Sequence, residues 1–543
     1  MKKLSFDSDA RAKIQKGVEQ LAKAVKSTLG PQGLNVIIDK GNVAVPVITK
    51  DGVSVAREVQ IADRVENIGA QAVKNVANQT NEVAGDGTTT ATVLAEAIYT
   101  QGLKSAAAGM KPARLKEGID IATNLVLEHL SNVKIDVTDD MLVQIATISA
   151  NNDLEIGTII AEAILKVGSE GPVRVENSHT TETYLTSIDG FQYERGMISH
   201  YFCTDEDMTS AEYQNPYVLC YDGEIDNAND ILPLLGAYLK QHNTTPLVIV
   251  CDDIKADALT TLVQNHLQGR IRVLPVKTPG FHQAKTSMLE DVACITGAVA
   301  ITANCGIQLD SASLEVLGKA DKVVATQKNT TIYGSVDKKV IEERADMVRA
   351  QLEKDKGDYA QFNNKLRLAR LTTGISIINV GGATELELKE KKDRIEDSLN
   401  ATKAGLKEGV VPGGGIALLR AGQAVAKKLE ALNLNLEVKA GADIIINAIK
   451  APIMTICENA GINGEVISNK VLENDDVNFG YDAKNDQYSD MFEAGVIDPV
   501  LVTMTALKNA SSISSLLLTT NAVISLDPEA YHKMKQLTDN SQG

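Results

Sequence analysis

The chain has 543 residues, too many for one hydrophobic core, so two to four domains are expected. Apolar residues make up 44% of the sequence and charged residues 23%, proportions typical of soluble globular proteins. The formal net charge is −17 and no basic block is present, which argues against nucleic acid or an anionic membrane as the main partner.

The cysteines, histidines and N-terminus bear on compartment and metal chemistry. The six cysteines form no CxxC pair and match no zinc spacing, and the seven histidines form no pair at helical spacing. The first residues lack the apolar core of a signal peptide, and we expect no apolar run long enough to span a bilayer. The sequence therefore predicts a cytoplasmic protein without disulfides.

The N-terminal region reads as a helix over residues 8–29, which ends where Gly30-Pro31 cannot continue it. A tight loop at 28–33 follows. Two β-rich runs, at 34–39 and 43–48, predict a hairpin. The turn Lys50-Asp51-Gly52 then places a carboxylate just after the second run.

A glycine- and threonine-rich octet at 85–92, Gly-Asp-Gly-Thr-Thr-Thr-Ala-Thr, interrupts a helical region that spans 64–108. Glycines let the backbone approach a ligand, and the start of a helix favours an anion. Asp86 would repel an anion unless a cation lies between them, so the octet predicts a phosphate–Mg²⁺ site. Taken alone, an octet of this kind is more often an ordinary helix N-cap with polar neighbours.

After a helix from Pro112 to about 132, the chain changes character. Residues 133–188 read as shorter elements with strands at 173–176 and 183–188. Residues 189–375 alternate buried strands (247–251, 271–276, 322–326) with helices (228–241, 255–268, 284–296), the pattern of an α/β layer arrangement. One more strand is predicted at 375–380.

A strongly charged helix at 386–407 is, taken alone, a solvated helix with i,i+4 ion pairs. Asp397 lies close to its apolar side, a position that would also allow it to face a partner surface rather than water. Next comes the glycine-rich loop 409–415, which opens a helix at Ile416, and the chain then reads as mostly helical to about 525. The pattern indicates helical ends that flank an α/β middle.

Four glycine-containing segments occur together with neighbours typical of one family. They are Thr28-Leu-Gly-Pro-Gln-Gly33, Lys50-Asp-Gly-Val-Ser54, Gly85-Asp-Gly-Thr-Thr-Thr-Ala-Thr92 and Gly409-Val-Val-Pro-Gly-Gly-Gly415, and a charged segment from Lys389 to Asp397 precedes the last of them. Through these segments the chain resembles the group I chaperonins of the GroEL type over nearly its whole length, as a divergent bacterial-like or phage-like member.

The resemblance implies a multidomain fold of three nested domains. These are a mainly α-helical equatorial ATPase domain (1–132 and 408–543), a small α+β intermediate hinge domain (133–188 and 376–407) and an α/β apical domain (189–375). It also implies heptameric rings, single or double, that enclose unfolded polypeptides with the help of a lid-forming co-chaperonin of the GroES type, self-encoded or borrowed.

ATP and Mg²⁺ are the implied ligands, with K⁺ as a further candidate. By position, Asp86 matches the Mg²⁺ ligand, whereas Asp51 and Asp397 match the catalytic carboxylates that position the attacking water and the metal. The implied nucleotide-binding residues are Thr28, Leu29, Gly30, Pro31, Lys50, Gly87, Thr88, Thr89, Thr90, Gly414, Asp482, Ala483 and Asp498. Because Asp397 would lie on the hinge domain, the site would be complete only when the hinge closes.

The family binds unfolded chains on apolar apical helices. The matching positions here are Met197, Tyr201, Phe202, Leu232, Leu235, Leu259, Val263 and Gln264. Taken alone, such apolar stripes are usually core.

Several positions depart from the family pattern. Met197 replaces an aromatic residue, Gln264 replaces an apolar one, and Asp482 replaces an Asn that faces adenine. Met454 and Asn463 stand where an Arg–Glu pair joins the two rings of the best-known member, so we expect weak ring–ring association or a single working ring. The sequence given ends without Gly-Gly-Met repeats, from which a different cavity floor is expected.

Two other functional classes compete with a folding machine. A ring that binds or scaffolds polypeptides without hydrolysis is disfavoured because Asp51, Asp86 and Asp397 are all present. A small-molecule kinase is disfavoured because neither a Walker GxxxxGK[ST] motif nor a kinase signature occurs.

Overall fold

A computed structural model of the chain describes residues 2–40, 46–168, 171–178, 180–188, 190–205, 208–242, 245–280, 283–334, 336–355, 357–372 and 374–526. The described residues form two compact units. Unit 1 lies within Met1–Glu162, Asn177–Thr183 and Val380–Gly543, and unit 2 lies within Ala163–Glu176 and Tyr184–Asn379. The last residues of the sequence, whose lack of Gly-Gly-Met repeats was noted above, lie outside the described part.

The helices of the described residues, in chain order, are α1 (Asp7–Lys26), α2 (Gly52–Glu58), α3 (Arg64–Ala84), α4 (Thr88–Ala107), α5 (Pro112–Val133), α6 (Asp139–Ser149), α7 (Leu154–Val167), α8 (Ala228–His242), α9 (Ala256–Leu267), α10 (Gln283–Thr296), α11 (Lys338–Lys354), α12 (Asp358–Thr372), α13 (Glu385–Glu408), α14 (Ile416–Ala431), α15 (Leu436–Ala448), α16 (Ala451–Asn459), α17 (Gly464–Leu472) and α18 (Val500–Leu518).

The strands of the same residues are β1 (Lys2–Phe6), β2 (Val36–Ile38), β3 (Val47–Thr49), β4 (Val173–Asn177), β5 (Tyr184–Ile188), β6 (Phe191–Tyr193), β7 (Ser210–Gln214), β8 (Tyr217–Tyr221), β9 (Glu224–Ile225), β10 (Leu247–Cys251), β11 (Asp253–Ile254), β12 (Val273–Lys277), β13 (Ala300–Ile301), β14 (Gly318–Thr326), β15 (Thr330–Gly334), β16 (Ile375–Val380), β17 (Val410–Pro412), β18 (Phe479–Asp482), β19 (Gln487–Asp490), β20 (Ile497–Pro499) and β21 (Ala522–Leu526).

Unit 1 is a helical body whose core is built from aliphatic side chains. Helix α5 packs against α15, α1 against α3, and α4 against α18. Glycines let two of these helices approach closely: a Cβ on Gly118 would lie 1.9 Å from the carbonyl oxygen of Val438, and one on Gly441 would lie 2.1 Å from that of Leu115. The α5–α15 contact is therefore backbone against backbone, which only glycine permits.

Unit 2 is an α/β body built on a mixed sheet. Strands β12, β10 and β8 pair in parallel, and β14 joins them to the antiparallel strands β15, β6 and β7. Every residue of β10 is buried, as expected for a central strand between helical layers. A separate three-stranded sheet has the order β4-β16-β5.

The predicted hairpin is present in shortened form, since β2 pairs antiparallel with β3 over Val36–Ile38 and Val47–Thr49. Residues 43–45 of the predicted second run lie outside the described part. Helices α6 and α7 were not predicted, nor was the pairing of β1 with β21. That pairing joins residues more than five hundred positions apart, which no local pattern reveals.

The expectation that no apolar run could span a bilayer was wrong as to length and composition. An 18-residue window within Leu436–Asn459 has a mean hydropathy of 1.4, and one within Val500–Leu518 has a mean hydropathy of 1.2. The first segment is two consecutive helices, α15 and α16, and the second is α18. The structure buries 56% and 61% of the two windows, so both segments serve as core helices of unit 1.

Candidate functional site

The start of α4 forms one wall of a pocket in unit 1. Gly87 caps the helix with a left-handed φ of 80°, and a Cβ there would meet Val502 at 2.5 Å. The helix therefore opens with the N–H groups of its first turn free of intrahelical partners. Those groups and the helix dipole create a site that favours an anion such as phosphate.

Asp86 lies just before that helix, partly buried. Its carboxylate accepts hydrogen bonds from the Ser149 hydroxyl at 2.7 Å and from the Gly87 N–H at 2.5 Å. Burial raises the pKa of Asp86, these two hydrogen bonds oppose the rise, and the negative charge of Asp51 adds to it. A carboxylate held in this way, beside an anion site, gains from a cation that separates the two negative charges.

Asp51 caps the short helix α2, accepting hydrogen bonds from the N–H groups of Val53 at 3.0 Å and Ser54 at 2.8 Å. The same helix begins with Gly52, where a Cβ would lie 2.1 Å from the Thr89 hydroxyl oxygen. The close packing of Gly52 on Thr89 brings Asp51 next to the first turn of α4.

Asp397 extends into the same pocket from α13. Burial raises the pKa of its carboxyl well above the ordinary value, and the charges of Asp51 and Asp86 raise it further. The Ser398 hydroxyl donates to the carbonyl oxygen of Ala146 at 2.7 Å, so α13 is fixed on α6 at this point. The side chain of Asp397 is partly buried and lines the cavity.

The loop at residues 28–31 lines another side of the pocket. Asn459 donates hydrogen bonds to the carbonyl oxygens of Lys26 and Leu29, both at 2.9 Å. Gly30 has a φ of 83° and packs against the side chain of Ile456. Helix α16 therefore holds this loop in place.

The glycine-rich loop at 413–415 lies beside Asp498 because β17 pairs with β20, which sets Val411 opposite Asp498. Burial raises the pKa of the Asp498 carboxyl to about 7, and Asp86 adds to the rise, while a hydrogen bond from the Gly414 backbone lowers it. This carboxylate is thus placed to accept hydrogen bonds from a polar ligand such as a sugar hydroxyl.

Asp482 and Ala483 lie at the turn between β18 and β19, and Asp482 is only 4% exposed. Its oxygens accept from the Lys484 N–H at 2.9 Å, the Asn485 N–H at 3.4 Å and the Asn485 side-chain amide at 2.6 Å. A carboxylate has about four acceptor positions, so one remains for a donor on a ligand.

Lys50 supplies a cation to the pocket together with Arg394. Burial lowers the pKa of the Lys50 ammonium, and the positive charge of Arg394 lowers it further. Arg394 itself is paired with Glu390 and with Asp153, the latter at 3.4 Å. Negative charge thus exceeds positive charge among the groups that line the pocket.

All of the predicted nucleotide-binding, catalytic and metal-binding residues line this one cavity of about 260 Å³. Some other lining residues lie in segments that the sequence singled out without being named as site residues, among them Gly52, Glu390, Asp393, Arg394 and Gly415. The sequence did not point to several more, among them Ser149, Asn151, Asn152, Pro452, Ile456, Tyr481, Lys484, Val496, Pro499, Val502 and Thr503. Tyr481 and Lys484 flank predicted residues, whereas Ser149 ends a helix that carries no motif.

The donor set fits a magnesium ion bound mainly by ligand oxygens. Within the described ranges, no group of three His, Cys, Asp or Glu residues is arranged to hold a metal ion. Mg²⁺ commonly takes one or two carboxylates and completes its shell with phosphate oxygens and water. Asp86, next to the anion site at α4, matches that pattern, and no imidazole or thiolate site is built here.

The predicted polypeptide-binding residues of unit 2 are divided between surface and core. Leu232 and Tyr201 are 43% and 48% exposed, Gln264 is exposed, and Leu259 and Val263 are partly buried. Met197, Phe202 and Leu235 are 6%, 0% and 5% exposed, and they belong to the main core of the unit.

In this conformation these last three residues therefore offer little exposed surface, and their role in polypeptide binding stays a prediction. The Met197 sulfur accepts a hydrogen bond from the Cys203 thiol at 3.5 Å, and the Phe202 ring packs edge-on against His266. Their apolar surface is already used by neighbours within the unit.

A family model described as the TCP-1/cpn60 chaperonin family matches residues 21–233 and 235–528. Among solved structures, the fold is similar to the chaperonin gp146 from the bacteriophage EL 2 (Pseudomonas aeruginosa), crystallised in the presence of ATP-BeFx. That chain is 22% identical with a TM-score of 0.73, and the match covers 96% of this chain and 99% of that one. A second crystal form of the same protein gives a TM-score of 0.65 at the same identity.

Proposed function

The chain belongs to the TCP-1/cpn60 chaperonin family, and we propose that it hydrolyses ATP to drive the folding of other polypeptides. The observation that carries the proposal is one pocket of unit 1, where a helix N-terminus, two glycine-rich loops and the carboxylates of Asp51, Asp86 and Asp397 converge. A site of this composition suits a nucleoside triphosphate with a divalent cation.

Each part of the pocket would have its own role. The first turn of α4 would bind the phosphates through its N–H groups, and the close packing that Gly52 and Gly87 permit against Thr89 and Val502 holds this turn in place. Asp498 and Gly414 would receive the ribose, and Asp482 and Ala483 the base. Mg²⁺, held at Asp86, would offset the phosphate charge when bound.

Asp397 would orient the attacking water and accept its proton, with Asp51 holding the water from the opposite side. A general base works best when its pKa lies near the ambient pH, so a raised pKa suits this role. The side chain lies on a helix outside the helical body that binds the nucleotide in the family, so closure of that helix would switch hydrolysis on.

The three-domain division and the assembly are parts of the proposal. The equatorial (1–132, 408–543), intermediate (133–188, 376–407) and apical (189–375) segments would form a homo-oligomeric ring in the cytoplasm, heptameric as in the group I chaperonins. Unfolded clients would contact Leu232, Tyr201, Leu259 and Val263, and a GroES-type lid would close the cavity. Non-directional hydrophobic contact accounts for binding of many different chains.

Ring number is expected to differ from the best-known member. The Asn463 side chain accepts hydrogen bonds from the N–H groups of Glu465 at 3.0 Å and Val466 at 3.2 Å, so it caps α17. Neither it nor Met454 supplies a charge for a bridge between rings. Light scattering with and without ATP should detect single rings in at least one state, and a stable double ring in every state would contradict this.

The decisive experiment measures phosphate release from ATP by the purified chain and by Asp397→Ala. Loss of a positioned base should lower hydrolysis by about 10²- to 10⁴-fold while ATP binding stays largely intact. Lys392→Ala, on the same helix but outside the pocket lining, is the matched control and should keep its turnover. A wild-type chain that binds ATP without releasing phosphate would favour a scaffolding ring instead.

A further inference from the structure

Arg420 is a buried cation on α14 that none of the proposed roles uses. The residue is 8% exposed, and its guanidinium donates to three backbone carbonyl oxygens: Asn474 at 2.6 Å, Asp476 at 2.7 Å and Phe479 at 3.2 Å. Within the part of the chain that the structure describes, no carboxylate oxygen lies within 4.0 Å of its nitrogen atoms, so its hydrogen bonds go to backbone alone, although the charges of Asp475 and Asp476 also act on it.

Those carbonyls belong to the segment that leads into the β18–β19 hairpin. The hairpin places Tyr481, Asp482, Ala483 and Lys484 on the pocket wall. Its strand β18 is also close-packed, since a Cβ on Gly480 would lie 2.7 Å from the Ile416 side chain. The wall is therefore attached to α14 by packing at Gly480 and by the guanidinium one helical turn further on.

The burial of a guanidinium without a bonded carboxylate is costly, and burial lowers the pKa of Arg420 accordingly. An apolar residue could fill the same space without that cost. What an apolar residue cannot supply is the set of planar N–H groups that fixes three carbonyls of one loop relative to each other. The arrangement thus secures the position of the loop rather than adding apolar core.

The wall that Arg420 secures is formed by the β18–β19 turn and not by α4, which forms the anion site. The phosphates of a nucleotide would take the helix N-terminus, which leaves the wall at 481–484, with apolar Ile456 and Pro452 nearby, for the base. Asp482 has one acceptor position left after its own turn is satisfied. An exocyclic amine is a donor that suits this position, whereas a carbonyl in its place would face a carboxylate.

We propose that Arg420 is a positioning residue for base recognition: through the carbonyls of 474–479 it holds Asp482 where that carboxylate accepts from the amine of adenine. The inference rests on the proposed function, because it requires that ATP binds in this pocket. Under this proposal Arg420 does not contact the ligand itself. It nevertheless determines how well the pocket distinguishes ATP from triphosphates that lack the amine or the whole base.

The test compares three probes: ATP, inosine triphosphate and inorganic tripolyphosphate, which has neither base nor sugar. In Arg420→Met we expect the KM for ATP to rise about tenfold, the loss of about 1.4 kcal/mol of binding. The inhibition constant of tripolyphosphate and the kcat at saturating ATP should stay within about twofold. Preference for ATP over inosine triphosphate should fall toward unity.

Gln423→Leu is the matched control. This residue also lies on α14 and donates to a backbone carbonyl, that of Leu472 at the end of α17, at 3.4 Å, but it is exposed and does not line the pocket. It should leave all three probes unchanged. If Arg420 were merely structural, its loss would lower the active fraction, and therefore kcat, without altering the ratio between the probes.

Arg420→Lys covers the case in which the methionine variant does not fold, because it keeps a charge and donors. It should raise the KM for ATP about threefold with tripolyphosphate unaffected, since a point ammonium replaces a planar fork. An unchanged ratio of ATP to tripolyphosphate binding in both folded variants would overturn the inference. A wild-type chain that binds neither ATP nor tripolyphosphate would instead refute the proposed function.

Discussion

The pKa of Asp498 offers a direct test of how burial affects the ionisable groups of the pocket. Burial raises the pKa of its carboxyl to about 7 from an ordinary value of 3.8, with a further contribution from Asp86. We consider the substitution Asp498→Asn, which keeps the shape and the acceptor for the Gly414 N–H but carries no charge. The variant should stabilise the chain in the absence of nucleotide and divalent metal.

The size and sign of the effect follow from proton linkage. Below pH 4 both folded and unfolded chains hold the proton, so Asp and Asn differ little. Between pH 4 and 7 the unfolded chain releases the proton while the folded chain keeps it, and the wild type loses stability as the pH rises. Above pH 7 the loss is constant. A difference of about 3 pH units corresponds to at most about 4 kcal/mol.

Relaxation and water entry reduce this figure, so we expect Asp498→Asn to be more stable by about 2 kcal/mol at pH 8. For a unit of this size, that gain in stability should raise the melting temperature of unit 1 by roughly 4 °C. Circular dichroism measures the melting temperature. The advantage should shrink toward pH 4. Glu493→Gln, an exposed carboxylate close by in sequence, is the control and should show no such trend. A variant that melts no higher at pH 8 than the wild type refutes the burial argument.

Two further substitutions test the packing of the two units. Gly52→Ala places a methyl group against the Thr89 hydroxyl, 2.1 Å away, and should weaken ATP binding about tenfold by calorimetry; an unchanged Kd would contradict the proposed phosphate site. Asp291→Asn leaves the 3%-exposed guanidinium of Arg367 without its carboxylate and should cost unit 2 about 3–5 kcal/mol in urea unfolding. Asp346→Asn breaks only an exposed pair and should cost under about 1 kcal/mol.

The parts of the site that the sequence predicted share a local cause. Gly87 and Gly414 both have positive φ, so the backbone itself requires glycine there. Asp86 lies between two such glycines, Gly85 and Gly87, and the chemistry of a carboxylate next to an anion site indicated a cation. Strand β10 and helix α14 begin where the hydrophobic pattern predicted, because periodicity and glycine are signals carried by adjacent residues.

Which side of an apolar helix meets solvent was not predictable in the same way. Leu232 and Leu235 lie three residues apart on α8, yet one is 43% exposed and the other 5%. The difference depends on the elements that cover the helix, and these are distant in sequence. Met197 and Phe202 were assigned to a binding surface for the same reason, since a resemblance transfers positions but not the packing around them.

Contacts between segments that are distant in the chain could not be predicted from the sequence either. The hydrogen bond from Ser149 to Asp86 and those from Arg420 to the loop before β18 join residues more than fifty positions apart. A serine at a helix end and an arginine in an amphipathic helix carry no motif. Their roles depend on which helices pack together, which is a property of the folded chain.

The acids of the pocket explain why turnover should depend on the nucleotide being fully bound. Burial and the charges of neighbouring carboxylates raise the pKa of Asp86, Asp397 and Asp498, so the pocket resists ionisation of these acids. A divalent cation at Asp86 would oppose this effect and lower the pKa of Asp397. The Asp397 carboxyl would then ionise more readily, and act as a better base, beside a metal-bound substrate. Electrostatic coupling within one cavity thereby links binding to reaction before any movement of the chain is considered.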